Sequence, residues 1–109
     1  MKVTKYYFIL ASKDFLINEE PMEEILRERI QHYRKEKRQI DFWILPNPEF
    51  LQSSLYIHLK NNFPKNCLVI ISTNKNFITW LKLRLQNVFV SEFLAPTEQV
   101  LNPLGFKMN

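Results

Sequence analysis

Apolar residues run along this chain in two rhythms: short blocks with no polar face, and longer stretches spaced for a helix. Residues 5–12 (Lys-Tyr-Tyr-Phe-Ile-Leu-Ala-Ser) are apolar at both alternating sets of positions, which predicts a buried strand. Residues 67–72 (Cys-Leu-Val-Ile-Ile-Ser) repeat that pattern with aliphatic side chains. Residues 40–45 form a second strand in chain order, closed by Pro46 and Pro48, and residues 88–94 a fourth, stopped by Pro96. Helical spacing runs from about residue 20 to residue 37 through Met22, Ile25, Leu26, Ile30 and Tyr33, with Pro21 acceptable in the first turn. Thr73 or Asn74 caps a second helix that ends near Leu85. Residues 49–62 predict one or two short helices carrying Phe50, Leu51, Leu55, Ile57 and Leu59, and residues 97–109 a loosely structured tail.

Strict alternation of strands and helices suggests a parallel sheet. The second half is too short for that, and no phosphate-binding turn follows the first strand. The expectation is therefore an α+β fold, with a mainly antiparallel four-stranded sheet. Strands apolar on both sides call for helices packed on both faces. The chain is expected to form one domain over residues 1–109, with its core in about residues 4–95.

Composition narrows the function classes. A length of 109 residues with 46% hydrophobic and 14% aromatic content suits a folded domain rather than a disordered one. The single glycine, Gly105, excludes a Gly-rich phosphate cradle, and the single cysteine, Cys67, excludes an internal disulfide. No apolar run approaches the roughly 20 residues that span a bilayer. The N-terminal residues enter a strand without a signal-peptide pattern, so an intracellular domain is expected. The net charge of +4 lies in one stretch, where Arg27, Arg29, Arg34, Lys35, Lys37 and Arg38 face only Glu28 and Glu36. Acids at residues 19–24 and bases at the far end of the same helix are what the helix dipole favours. The competing reading is a basic surface for nucleic acid, anionic lipid or an acidic partner.

Catalytic constellations are missing from the sequence. His32 and His58 belong to no metal-binding spacing; Glu28 and His32 stand at i,i+4, but a di-iron carboxylate site needs repeated Glu-x-x-His pairs. Cys67 opens an apolar strand, where a thiol packs as a small hydrophobe. Ser53-Ser54 and Ser72-Thr73 lack a nucleophile elbow. No enzyme activity, cofactor or metal is expected. A ferredoxin-like RNA-recognition module has a similar element order, but its third strand carries an Arg/Lys-Gly-aromatic signature. Here that strand reads Cys-Leu-Val-Ile-Ile, so Tyr6 and Phe8 are expected in the core, and nucleic acid is not an expected partner.

Residues 74–85 point elsewhere. At about 100° per residue, Phe77, Ile78, Leu81 and Leu85 share one arc, and Trp80 and Leu83 widen it to roughly 220°. One sheet face does not easily bury so wide a stripe. Arg84 falls inside it, and must either pair internally with an acid or anchor an interface, where Trp and Arg are enriched. Asp41 stands beside Phe42 and Trp43 at the start of an apolar strand. It caps a local turn, pairs with a base such as Arg84, or is presented to a partner.

The segments at residues 6–12, 20–24, 40–43, 71–74 and 77–85 resemble the family known as hypothetical chloroplast open reading frame fifty-four of cyanobacteria and plastids, called the low chlorophyll accumulation A protein in plants. The likeness runs in order from about residue 5 to residue 104, with Asn102-Pro103-Leu104 included; residues 46–65 contribute little. The resemblance implies a non-catalytic accessory or assembly factor of the aerobic magnesium-protoporphyrin IX monomethyl ester cyclase of chlorophyll synthesis. Its implied partner is the di-iron oxygenase subunit. The implied docking residues are Asp41, Phe42 and Arg84, to which the apolar stripe adds Trp80. A cytoplasmic location follows, or peripheral attachment to thylakoids through the partner. The alternative reading is a tetrapyrrole-binding carrier that delivers substrate to the cyclase.

Overall fold

The four apolar blocks form strands β1 (Thr4–Ser12), β2 (Phe42–Pro46), β3 (Cys67–Ser72) and β4 (Phe89–Ala95), in a computed structural model that describes residues 2–19, 22–53, 56, 66–85 and 88–105. The helices are α1 (Met22–Lys35) and α2 (Lys75–Leu85). A short π-helical turn, Phe15–Glu19, follows β1, and a single 3-10 turn, Glu49–Gln52, follows β2. Leu55, Ile57 and Leu59, expected on a short helix, lie outside the described residues, as does His58.

Strand order is β2-β3-β1-β4, and every pairing is antiparallel. The antiparallel α+β fold expected from the pattern is the observed one. The two blocks with the most continuous apolar character, β1 and β3, take the middle, where both sides are covered. Phe8 is opposed by Ile71 on one side and Ser91 on the other. Each helix leaves one strand and returns to a parallel strand two places away, the ferredoxin-like arrangement. With the right-handed crossover such connections take, both helices fall on the same face.

That topology puts α1 and α2 on one face of the sheet. Leu26, Tyr33, Phe77, Ile78, Leu81 and Leu85 bury with Ile9, Ile70 and Phe42 on the helical face. Among the described residues, the opposite face is covered by the 3-10 turn, Tyr56 and the segment after Pro96, which bring Phe50, Leu51, Tyr56 and Val100 against Phe8, Leu10, Val69 and Ile71. Strands apolar on both sides require two covers, and the sheet has a buried cluster on each face. Residues 97–105 are tied down: Val100 is buried, Thr97 and Val100 bond to one another, and Glu49 N–H donates to Gly105 C=O at 2.9 Å.

The α1 ends match the dipole reading, with Glu23 and Glu24 in the first turn and His32, Arg34 and Lys35 in the last. Its C-terminus closes in a Schellman arrangement: Arg38 N–H donates to Tyr33 C=O at 2.9 Å and Lys37 N–H to Arg34 C=O at 3.2 Å. Lys37 occupies the left-handed position, at φ 57°, that glycine usually takes. Lys37→Gly is therefore expected to stabilise the protein by about 1 kcal/mol, the order of the left-handed cost for a residue with a Cβ. Thermal unfolding checks it: Tm rises, where glycine at most helical positions lowers it.

Candidate partner-binding surface

α2 is held by a small hydroxyl junction. The Ser72 hydroxyl, at the end of β3, donates to Asp41 C=O at 2.8 Å and accepts from Asn74 N–H at 2.9 Å. Asn74 Oδ1 then accepts from Phe77 N–H at 3.2 Å and caps the helix. Thr73 N–H also reaches Asp41 C=O, at 3.2 Å. One buried serine thus fixes the entry to β2, the exit from β3 and the start of α2.

The helix set this way buries Phe77, Ile78, Leu81 and Leu85 and turns the rest of its apolar stripe outward. Trp80 stays 49% exposed and Leu83 71% exposed. Trp80 does not lie loose, since its ring stacks on Phe77 with centroids 6.5 Å apart and planes 19° from parallel. Arg84, one turn after Trp80, is exposed beside it and engaged in contacts of its own.

From Phe77 a line of contacts leads to Asp41. The Arg29 guanidinium lies 3.9 Å from the Phe77 ring centroid and 5.0 Å from that of Tyr33, a cation set over two aromatic faces. Arg29 Nη2 donates to the Tyr33 hydroxyl at 2.8 Å, and that hydroxyl donates to Asp41 Oδ1 at 2.7 Å. Arg38 packs on Tyr33, 4.7 Å from its centroid. Burial, and then the hydrogen bond to Asp41, push the Tyr33 hydroxyl above its ordinary pKa; Arg29 pulls the other way without cancelling them. Tyr33 therefore stays a proton donor through the neutral range, and the Asp41 carboxylate is held at the edge of the sheet.

The structure sorts the four expected docking residues. Trp80 and Arg84 are exposed on α2, and Asp41 is half-buried at the start of β2. Phe42, the fourth expected docking residue, is 5% exposed; its ring packs 5.2 Å from Phe77 and 6.1 Å from Tyr33. It faces the helical layer because alternate positions of β2 point there. Asp41 takes its partner from Tyr33 of α1 rather than from Arg84. The cation on the Phe77 ring is Arg29, a member of the basic run of residues 27–38. The Arg29–Tyr33 spacing of i,i+4 was the available signal.

This surface offers an indole, a leucine, a fixed carboxylate and several guanidinium groups. No group of three His, Cys, Asp or Glu among the described residues is placed to hold a metal ion. The sheet face that an RNA-recognition module leaves open for base stacking is covered here, with Phe8 and Phe93 buried beneath Phe50 and Tyr56. No helix among the described residues is long and apolar enough to cross a membrane.

Residues 4–95 match the model of the family described as Ycf54 protein. The chain belongs to the Ycf54 family. It is similar to the ycf54 protein of the red alga Porphyra purpurea, at 50% identity over 91 residues and 84% of each chain. It is 44% identical over 100 residues to a Ycf54-like protein of Synechocystis, covering 92% of this chain and 75% of that one. A chloroplastic YCF54 protein of Arabidopsis thaliana is 32% identical over 93 residues, 84% of this chain and 43% of that one. An X-ray structure of a Nostoc protein superposes with a TM-score of 0.92 at 49% identity, covering 97% of this chain and 98% of that one. The structure of the Ycf54 protein from Synechocystis gives 0.89 at 41% identity, over 96% and 98%.

Proposed function

We propose that this Ycf54 protein is a non-catalytic accessory factor that docks on the di-iron oxygenase subunit of the magnesium-protoporphyrin IX monomethyl ester cyclase, and so supports chlorophyll synthesis. The observation that carries this reading is the exposed part of α2, where Trp80 and Leu83 leave a large apolar area beside Arg84. Large apolar side chains left in water next to guanidinium groups are what partner-binding hot spots are made of. Asp41 adds a carboxylate that Tyr33 holds in one orientation, giving the surface both signs of charge. Family membership supports the same reading, because the resemblance that names the cyclase runs through these segments. Phe42 contributes from behind, as the ring on which Tyr33 and Phe77 rest.

The test is direct binding of the purified chain to the purified oxygenase subunit by calorimetry. Trp80→Ala is expected to weaken binding roughly tenfold or more, as loss of an interfacial aromatic anchor does. Arg84→Ala is expected to weaken it as well. Both substitutions lie at exposed positions, so Tm should stay close to that of the parent chain. Unchanged affinity for both variants removes α2 from the interface, and no binding by the parent chain removes the reading itself.

A further inference from the structure

A second apolar feature lies away from Trp80, under α1. This helix buries Met22, Leu26 and Tyr33 but leaves Ile30 only half-buried. Between it and the sheet runs a slot of about 810 Å³, floored by Leu26, Ile30, Ile44, Leu68 and Ile70. Ile17 and Ile44, which face the slot from the π-helical turn and from β2, are 51% and 46% exposed. A sheet side chain and a helix side chain that should meet in a filled core are held apart here, each keeping part of its surface in water.

The rim has a simple charge pattern. Arg27, Arg34, Glu23 and Gln31 border the opening. Arg27 is ion-paired with Glu23 one turn earlier. Arg34 has no ion-pair partner among the described residues, and leaves one cation over an apolar slot. The volume falls within the range of small-molecule sites, about 300–1,000 Å³. A second copy of this chain would set one basic rim against another, on a protein whose net charge is already +4.

We propose that this slot binds a small amphiphile with an apolar body and a single carboxylate, the body between α1 and the sheet and the carboxylate on Arg34. The proposal stands apart from the docking surface: it uses neither Trp80, Arg84 nor Asp41, and it holds or fails whatever the oxygenase subunit does.

Sub-micellar dodecanoate is the probe, with dodecanol and dodecyltrimethylammonium as uncharged and cationic counterparts. Isothermal calorimetry is expected to show saturable 1:1 binding of dodecanoate, with isoleucine methyl NMR shifts confined to Ile17, Ile30, Ile44 and Ile70. Arg34→Gln should weaken it about fivefold or more, as loss of a partly exposed ion pair does, while Lys35→Gln, a base off the slot, leaves it unchanged. Ile44→Trp, at an exposed position, should fill the slot and abolish binding with no loss of Tm. Equal binding of dodecanol, or insensitivity to Arg34→Gln, overturns the assignment of a carboxylate. Absence of saturable binding overturns the site. A concentration-dependent dimer that Ile44→Trp dissociates would also overturn it, by giving the slot to a second copy.

Discussion

Phe8→Ala is expected to cost about 3–5 kcal/mol of folding stability, the range for emptying a buried phenylalanine site. Phe8 is fully buried in the middle of the sheet. Its ring lies 4.9 Å from Phe50, 5.6 Å from Tyr56, 5.9 Å from Phe93 and 6.2 Å from Phe89, in edge-on and tilted arrangements. Those rings come from the 3-10 turn, the segment after it and β4, so removing Phe8 opens a void on which three separate covers converge. Aromatic pairs of this geometry each add about 0.5–1.5 kcal/mol beyond area burial. A domain with a total stability of about 5–15 kcal/mol is left close to the threshold by such a loss. Urea denaturation followed by circular dichroism measures it. A loss below about 1.5 kcal/mol would mean that the covers collapse onto the void and that this face is softer than its packing implies.

Tyr33→Phe should cost about 2–3 kcal/mol, although it removes one oxygen and keeps the ring. That hydroxyl is donor to Asp41 and acceptor for Arg29 at once. Without it a half-buried carboxylate and a guanidinium each lose a partner, and hydrogen bonds to charged groups are worth about 1.5–3 kcal/mol. The ring contacts with Phe42 and Arg38 persist, so the loss is the polar link alone. Asp41→Asn should be strongly non-additive with Tyr33→Phe, because both remove one link. Additive losses would show that the two groups act separately.

The same hydroxyl sets a pH dependence. Its folded pKa lies above the ordinary 10.0, so the folded state holds a proton that the unfolded state releases first. Stability from this group is complete below about pH 10 and is lost as pH rises through the folded value. Tyr56, raised chiefly by burial, acts with the same sign, and so does the Cys67 thiol, from its ordinary 9.0 upward. Stability is expected to stay level through neutral pH and to fall above about pH 9. Tyr33→Phe should make that fall shallower.

Periodicity could locate the blocks of this protein because both rhythms survive folding unchanged. The alternation in residues 5–12 became β1 with Phe8 and Leu10 on one side and Ile9 and Ala11 on the other. The spacing of Phe77, Ile78, Leu81 and Leu85 became the buried stripe of α2, and Asn74 its cap. Charge could be read only in part. The acid-to-base gradient along α1 is there, but Arg29 left it to lie on Phe77, because a guanidinium fits an aromatic face wherever packing supplies one.

The sequence by itself determined the element order, the antiparallel α+β class, the excess of apolar surface on α2 and the family. Each is written in local spacing or in residue identity, and needs no knowledge of what lies across the fold. Only the tertiary structure decided that α1 and α2 share one face, that Phe42 is buried against Tyr33 and Phe77, and that Asp41 answers to Tyr33. Those outcomes follow from crossover handedness and from contacts between residues distant along the chain. Strand alternation says which side chains share a face; it does not say which other element arrives to cover them.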